Sequence, residues 1–233
     1  MAHGMTSRDR RDFSEDTLPR LRSAAEDLRL LLGRGYGMNE SLQLVGNHFR
    51  LTKRQRQLLY RGIVAPRKAR VRQRKVIAVR HLAGRRLWVD GYNALIISET
   101  CLAGGIVLLS DDGVLRDIQG VFGAFRVSEH TDAALDHLTA VLSDHKPAAT
   151  TVILDERMRF ARHVEKQWRR RFARSGLERA EVRQVERVDR MLQDAPADTV
   201  IATSDRETID AAEQVCDLPR AVAERCDSRL LEL

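Results

Sequence analysis

Apolar residues Leu18, Leu21, Ala24, Ala25, Leu28, Leu31 and Leu32 recur at the spacing of one helical face, and Gly33, Gly35 and Gly37 then interrupt the run. A second helix is expected from about Asn39, a favourable N-cap, through Leu42, Leu44 and Val45. A third follows Thr52, another good cap, and carries Leu58, Leu59 and Tyr60 before Pro66 separates it from a further helix leading to Gly84. Beyond Gly84 the period changes. Short, β-branched apolar runs at 87–89, 106–109, 152–154, 182–188 and 200–202, with a weak one at 221–223, read as buried strands. Helical stretches at 92–103, 131–144, 158–175 and 206–215 alternate with them. Alternation of this kind predicts an α/β fold: a mostly parallel sheet flanked by helices in residues 85–233, behind an all-α module in residues 12–84.

The three short N-terminal helices have the tight connections of a helix-turn-helix module; a small bundle that merely packs on its neighbour fits the same pattern. Charge distinguishes the two parts. Residues 1–86 hold 21 Lys and Arg against 7 Asp and Glu, a net of +14, within a chain whose total is +7. Between Glu40 and Asp90 there is no acid. That stretch contributes Lys53, Arg54, Arg56, Arg61, Arg67, Lys68, Arg70, Arg72, Arg74 and Lys75, which are expected to contact phosphates, a solvated basic face being the alternative. Cys101, Cys216 and Cys226 match neither a disulfide framework nor a zinc ribbon, and His48, His130, His137, His145 and His163 are scattered rather than paired at ligand spacing. With no signal-peptide core and no apolar run of the ~18 residues a membrane span needs, a cytoplasmic location and no membrane association are expected.

The candidate chemistry lies at strand ends. Asp90 closes the first strand of the α/β part, Asp111 and Asp112 the second, Asp155 the third and Asp205 the fifth. One such aspartate is an ordinary helix N-cap; a set at equivalent positions points to a shared crevice. In open parallel sheets ligands gather at the carboxyl ends of the strands. Carboxylates clustered there repel each other, and a hard divalent ion, Mg²⁺ or Mn²⁺, is the simplest compensation. Such an ion would supply a hydroxide nucleophile for a phosphodiester. No Ser/His/Asp arrangement, phosphate-binding loop or dinucleotide fingerprint accompanies a strand.

The segment LWVDGYNALI, from Leu87 to Ile96, resembles the opening signature of NYN-type members of the PIN nuclease superfamily. TVILDERM and TVIATSDRETID resemble that family's later strands with their terminal aspartates, in the same order, from Arg86 to about Val215. The resemblance implies that Asp90 and Asp205 are metal ligands, that Asp155 stands in or beside the ligand set, and that Asn93 and Ser204 orient ligands or water. Where the family carries an acidic helical motif, this chain has VERVDRMLQDAPADT, leaving Asp189, Asp194 and Asp198 as substitutes. Asp111 and Asp112 are expected to make good the missing charge, as metal ligands with Asp112 among the catalytic groups. The whole chain is also similar to a little-characterised family in which a helical module with Leu44 to Asn47 (LVGN) and a basic helix, here Leu51 to Arg61, precedes such a domain.

A basic helix after Asp155, with Arg157, Arg162 and Arg169 among its cations, is placed to track a polynucleotide toward the site. These features lead to a metal-dependent ribonuclease acting on RNA, structured or within a ribonucleoprotein, with a homodimer left open. The alternative is a nucleic-acid or ribonucleoprotein adaptor whose PIN-like domain has lost catalysis. A DNA-binding regulator using its third helix in the major groove ranks last, since Asn and Gln for reading adenine are few.

Overall fold

The computed structural model describes residues 4–118, 125–226 and 228–233. The N-terminal region is helical: α1 (Ser7–Asp12), α2 (Leu18–Gly33), α3 (Met38–His48), α4 (Lys53–Gly62) and α5 (Pro66–Lys75). Thr52 caps α4 as expected, in a capping box with Gln55. Pro66 starts α5 at a position where its missing N–H costs nothing. The cap of α3 is Gly37 rather than Asn39, which lies inside the first turn.

The α/β part runs β1 (Val76–Ile77), a 3₁₀ turn, β2 (Arg86–Asp90), α6 (Gly91–Leu102), β3 (Val107–Leu109), β4 (Leu115–Asp117), α7 (Thr131–His145), β5 (Ala149–Asp155), α8 (Ala161–Ser175), β6 (Ala180–Val185), α9 (Val188–Gln193), β7 (Thr199–Ala202), α10 (Arg206–Ala211), β8 (Gln214–Cys216), α11 (Leu218–Arg225) and β9 (Leu230–Leu231). Six strands form one parallel sheet in the order β1-β8-β7-β2-β5-β6. Alternate side chains of each strand face opposite layers. Leu87, Val89, Val152, Leu154, Val200 and Ala202 pack under α6, α7, α8 and α11, while Trp88, Ile153, Ile201 and Val215 pack with Leu192 of α9 and Ile209 of α10. Helices on both faces are why these strands are apolar without alternation.

Four sequence expectations need correction. The run at 106–109 does not join the parallel sheet; β3 sits in a separate sheet of order β4-β3-β9, antiparallel to β4 and parallel to β9. The helix expected to reach residue 215 stops at Ala211, and β8 follows it. The weak strand at 221–223 is helix, because Asp217 caps α11 and Pro219 stands in its first turn. The border at residue 84 moves to about 75, since β1 pairs with β8 of the main sheet.

The helical region is not a free-standing module. Its core of Leu21, Leu28, Leu58, Leu59 and Ile63 continues without a break into Ile106, Leu108 and Ile118 around the small sheet. Among the described residues no helix is long and apolar enough to cross a membrane, and the three cysteines are free thiols.

Candidate active site at the sheet edge

After β2 the chain passes to β5 and β6 on one side, and only then to β7 and β8 on the other. The strand order therefore reverses between β2 and β7, and a crevice opens at their carboxyl ends. Asp90 and Asp205 stand on either side of that opening, at the end of β2 and just beyond β7. Gly91 makes the turn after Asp90 possible: a Cβ there would lie 2.6 Å from the Leu154 side chain and 2.7 Å from Val152. Both aspartates also cap helices, Asp90 accepting from the Asn93 N–H (3.2 Å) and Asp205 from the Thr208 N–H (2.8 Å).

Two further contacts fix the aspartates relative to each other. The Thr203 hydroxyl donates to Asp90 Oδ2 (3.1 Å) and accepts the backbone N–H of Asp205 (3.1 Å). Asn93 Nδ2 donates to Ser204 Oγ (2.8 Å), and the Ser204 N–H donates back to Asn93 Oδ1 (3.0 Å), clamping the two strand-end turns together. Asn93 and Ser204 thus tie the two turns to each other. Thr203, which precedes Ser204 and Asp205 in the same Thr-Ser-Asp segment, is a further linking residue that the sequence pattern does not single out.

Burial, then the charges of Asp189 and Asp205, push the Asp90 carboxyl up to about 7, against the opposing Asn93 and Thr203 hydrogen bonds. Asp189, at the start of α9, is raised by partial desolvation and by Asp205, Glu207 and Asp155. Asp189, one of three substitutes offered by the sequence with Asp194 and Asp198, thus adds acidic charge to this group. Asp155 faces the same group from β5. It is desolvated yet held below the ordinary carboxylate range by Arg157, whose backbone N–H (2.9 Å), Nε (3.1 Å) and a terminal nitrogen (3.0 Å) all donate to it.

Asp111 and Asp112 do not join this group. The Asp111 carboxylate accepts Arg29 Nε and a terminal nitrogen (2.7 Å), together with the Val64 N–H (3.0 Å). Asp112 is fully buried between Arg116 (2.6 and 2.9 Å) and Arg72 (3.1 Å). Burial would raise its carboxyl, but the two guanidiniums hold it below its ordinary value. Both expected metal ligands are structural counter-ions, because the strand before them belongs to the other sheet.

The basic tract divides in the same way. Arg54 bonds Asp9 (2.8 Å), Arg61 bonds Asp117 (2.8 Å), Arg56 bonds the Leu51 carbonyl (3.1 Å) and Asn47 (3.0 Å), and Arg72 joins Asp210 (2.7 Å) to Asp112. Lys75 donates to the Ile209 and Asp210 carbonyls (3.0 and 2.6 Å). Those five are corrected from phosphate ligands to internal ties. Lys53, Arg67, Lys68, Arg70 and Arg74 remain exposed. On α8, Arg162 is exposed, while Arg169 is tied to Glu165 (2.8 Å) and the Val182 carbonyl (2.8 Å).

The internal ties end at the crevice. Arg116 Nε donates to the Ser204 carbonyl (3.0 Å), and Arg206 donates to the carbonyls of Tyr60 (2.6 Å), Arg61 (2.9 Å) and Ile63 (3.3 Å) at the end of α4. Burial, with Arg116 close by, lowers Arg206 to about 10.

Donor chemistry at the crevice fits a hard divalent cation: carboxylate oxygens, two of them disfavoured as free anions. Among the described residues, however, no three His, Cys, Asp or Glu side chains are gathered closely enough to hold a metal ion. Asp155 would have to leave Arg157 to contribute.

Fold and site together define an α/β protein with an acidic crevice at the switch point of a parallel sheet. Residues 79–221 match the family model for a domain of unknown function, DUF5616, and the chain belongs to that family. Residues 20–75 match a second model, for a protein of unknown function, DUF434. The chain is similar to the uncharacterized protein MJ0935 of Methanocaldococcus jannaschii, with 29% identity over 185 residues, which is 79% of this chain and 86% of that protein. No solved structure matches.

Proposed function

We propose that the protein is a cytoplasmic ribonuclease of PIN/NYN type that uses Mg²⁺ or Mn²⁺. The observation that carries this reading is the pairing of Asp90 with Asp205 across the switch point, cross-linked through Thr203 and the Asn93–Ser204 clamp. Asp90 and Asp205 would hold the cation, with Asp189 and Asp155 completing the acidic charge around it. When bound, the ion supplies Lewis-acid activation of the phosphodiester and of the attacking water.

The chain's own residues do the rest. Thr203 and Asn93 fix the Asp90 and Asp205 turns, so little reorganisation is needed in the reaction. Arg157 is exposed and hydrogen-bonded to Asp155, so an incoming phosphate competes for its guanidinium and frees that carboxylate. Lys53, Arg67, Lys68, Arg70, Arg74 and Arg162 attract the remaining backbone. RNA is preferred as substrate because the resembled superfamily acts mainly on RNA.

Cleavage of labelled single-stranded RNA with Mn²⁺ tests the reading. Asp90→Asn and Asp205→Asn should each lower the rate by more than about 100-fold, beyond the loss that follows removal of a supporting residue. Unchanged rates in both variants reject the site. The separation of the carboxylates favours a second reading, a nucleic-acid adaptor without catalysis. Salt-sensitive RNA binding with no metal-dependent turnover is its signature.

A further inference from the structure

Phe160 is where the chain turns from the sheet edge into α8, and it does so at φ +70° and ψ +15°. That is the left-handed region, where an L side chain is crowded and a bulky one is an outlier. Gly176, at the other end of the same helix, has the same φ and is the residue type the geometry favours. Core packing does not account for keeping an aromatic ring at the strained position. Phe160 is 41% exposed, whereas Trp168 and Phe172 of the same helix are buried. Strain held by an exposed side chain points to function.

The surroundings say which function. The Met158 N–H donates to the Asp155 carbonyl (3.2 Å) and the Ala161 N–H to the Met158 carbonyl (3.1 Å), so two tight turns keep Phe160 at the rim beside Asp155. The Arg159 guanidinium lies 5.0 Å from the centre of the Phe160 ring. From there Arg159, Arg162, Lys166, Arg170 and Arg174 follow at steps of three and four residues, an exposed cationic stripe along α8. A flat π surface at the acidic end of a phosphate-attracting stripe is the arrangement that holds an unpaired base while its backbone is tracked.

We propose that Phe160, together with Arg159, is the stacking platform for one unpaired nucleobase of a single-stranded RNA whose phosphates run along Arg162, Lys166, Arg170 and Arg174. The platform rests on the ribonuclease reading for its choice of polymer. Stacking reads no base edge, so the platform makes the protein selective for strandedness rather than for sequence.

The test uses the full chain in EDTA, so that nothing is cleaved, and a single-stranded RNA carrying one 2-aminopurine moved stepwise along it. Wild type should quench the fluorophore at one register. Phe160→Leu should lose that quenching and bind roughly tenfold more weakly, whereas Phe160→Trp should keep both. Phe160→Gly should melt no lower than wild type and bind like the Leu variant. Wild-type quenching and affinity in Phe160→Leu would overturn the platform, as would a lower melting temperature in Phe160→Gly, which would make the ring structural. If wild type binds no RNA at all, the ribonuclease reading itself fails; if it binds and the variants are silent, only the platform does.

Discussion

Asp90 carries a conflict that its substitution resolves. Its carboxyl is pushed up to about 7 from an ordinary 3.8, first by burial and then by Asp189 and Asp205. With the folded value above the unfolded one, the native chain holds an extra proton between them, and its stability falls as pH rises from about 4 through 7. An asparagine keeps the acceptor for the Asn93 N–H and can meet Thr203 without charge. Asp90→Asn should therefore be more stable than wild type at pH 8, on the order of 2 kcal/mol after allowing for partial exposure, and little changed at pH 4. Thermal unfolding of both proteins at the two pH values measures this; equal differences at both would remove the electrostatic account of the crevice. Asp90 and Asp205 could be found from sequence because a strand ending in aspartate before a helix is a local pattern. Asp189 stands out from sequence only as one of three substitutes with Asp194 and Asp198, since nothing near it in the chain shows that α9 returns to the same edge.

Helix caps and turn residues are local too, which is why Thr52 and Pro66 marked their helices correctly. Long-range ion pairs are not. Arg72 reads as one more cation in an uncompensated run, yet it is 4% exposed and joins α5 to Asp210 of α10 and to Asp112 beyond β3. The acids that answer Arg54, Arg61 and Arg72 lie in distant parts of the chain, so the tract looked free for phosphate. Asp111 and Asp112 misled for the complementary reason, because their strand resembled a main-sheet strand. Asp112→Asn should leave Arg72 and Arg116 buried without a full counter-charge and destabilise the protein by roughly 3–5 kcal/mol in urea unfolding. A loss under about 1 kcal/mol would show the triad to be dispensable. The pH dependence has the opposite sign to that of Asp90: with its folded value lowered, Asp112 stabilises above about 4, and that contribution is lost as pH falls through the folded value.

Two family models divide the chain between residues 75 and 79, and charge divides it a little further on, near residue 86, into a basic helical part and an acidic α/β part. The physical connections run across that division. Ile106, Leu108 and Ile118 complete the core formed by α2 and α4, and Leu231 and Leu233 at the carboxyl end pack against it. β1 continues from α5 directly into the main sheet. Arg206, next to Asp205, donates hydrogen bonds to the Tyr60 and Arg61 carbonyls at the end of α4. Helical region and crevice should therefore unfold as one cooperative unit rather than as two domains with a polar interface. In calorimetry the full chain should give a single transition whose van't Hoff and calorimetric enthalpies agree. Residues 76–233 expressed alone should expose the apolar small sheet and aggregate or lose cooperative unfolding. Two resolved transitions, or a soluble truncated chain melting cooperatively like the whole, would mean that the helical region is a separable appendage. The ties through Arg72 and Arg206 would then be incidental to the crevice they reach.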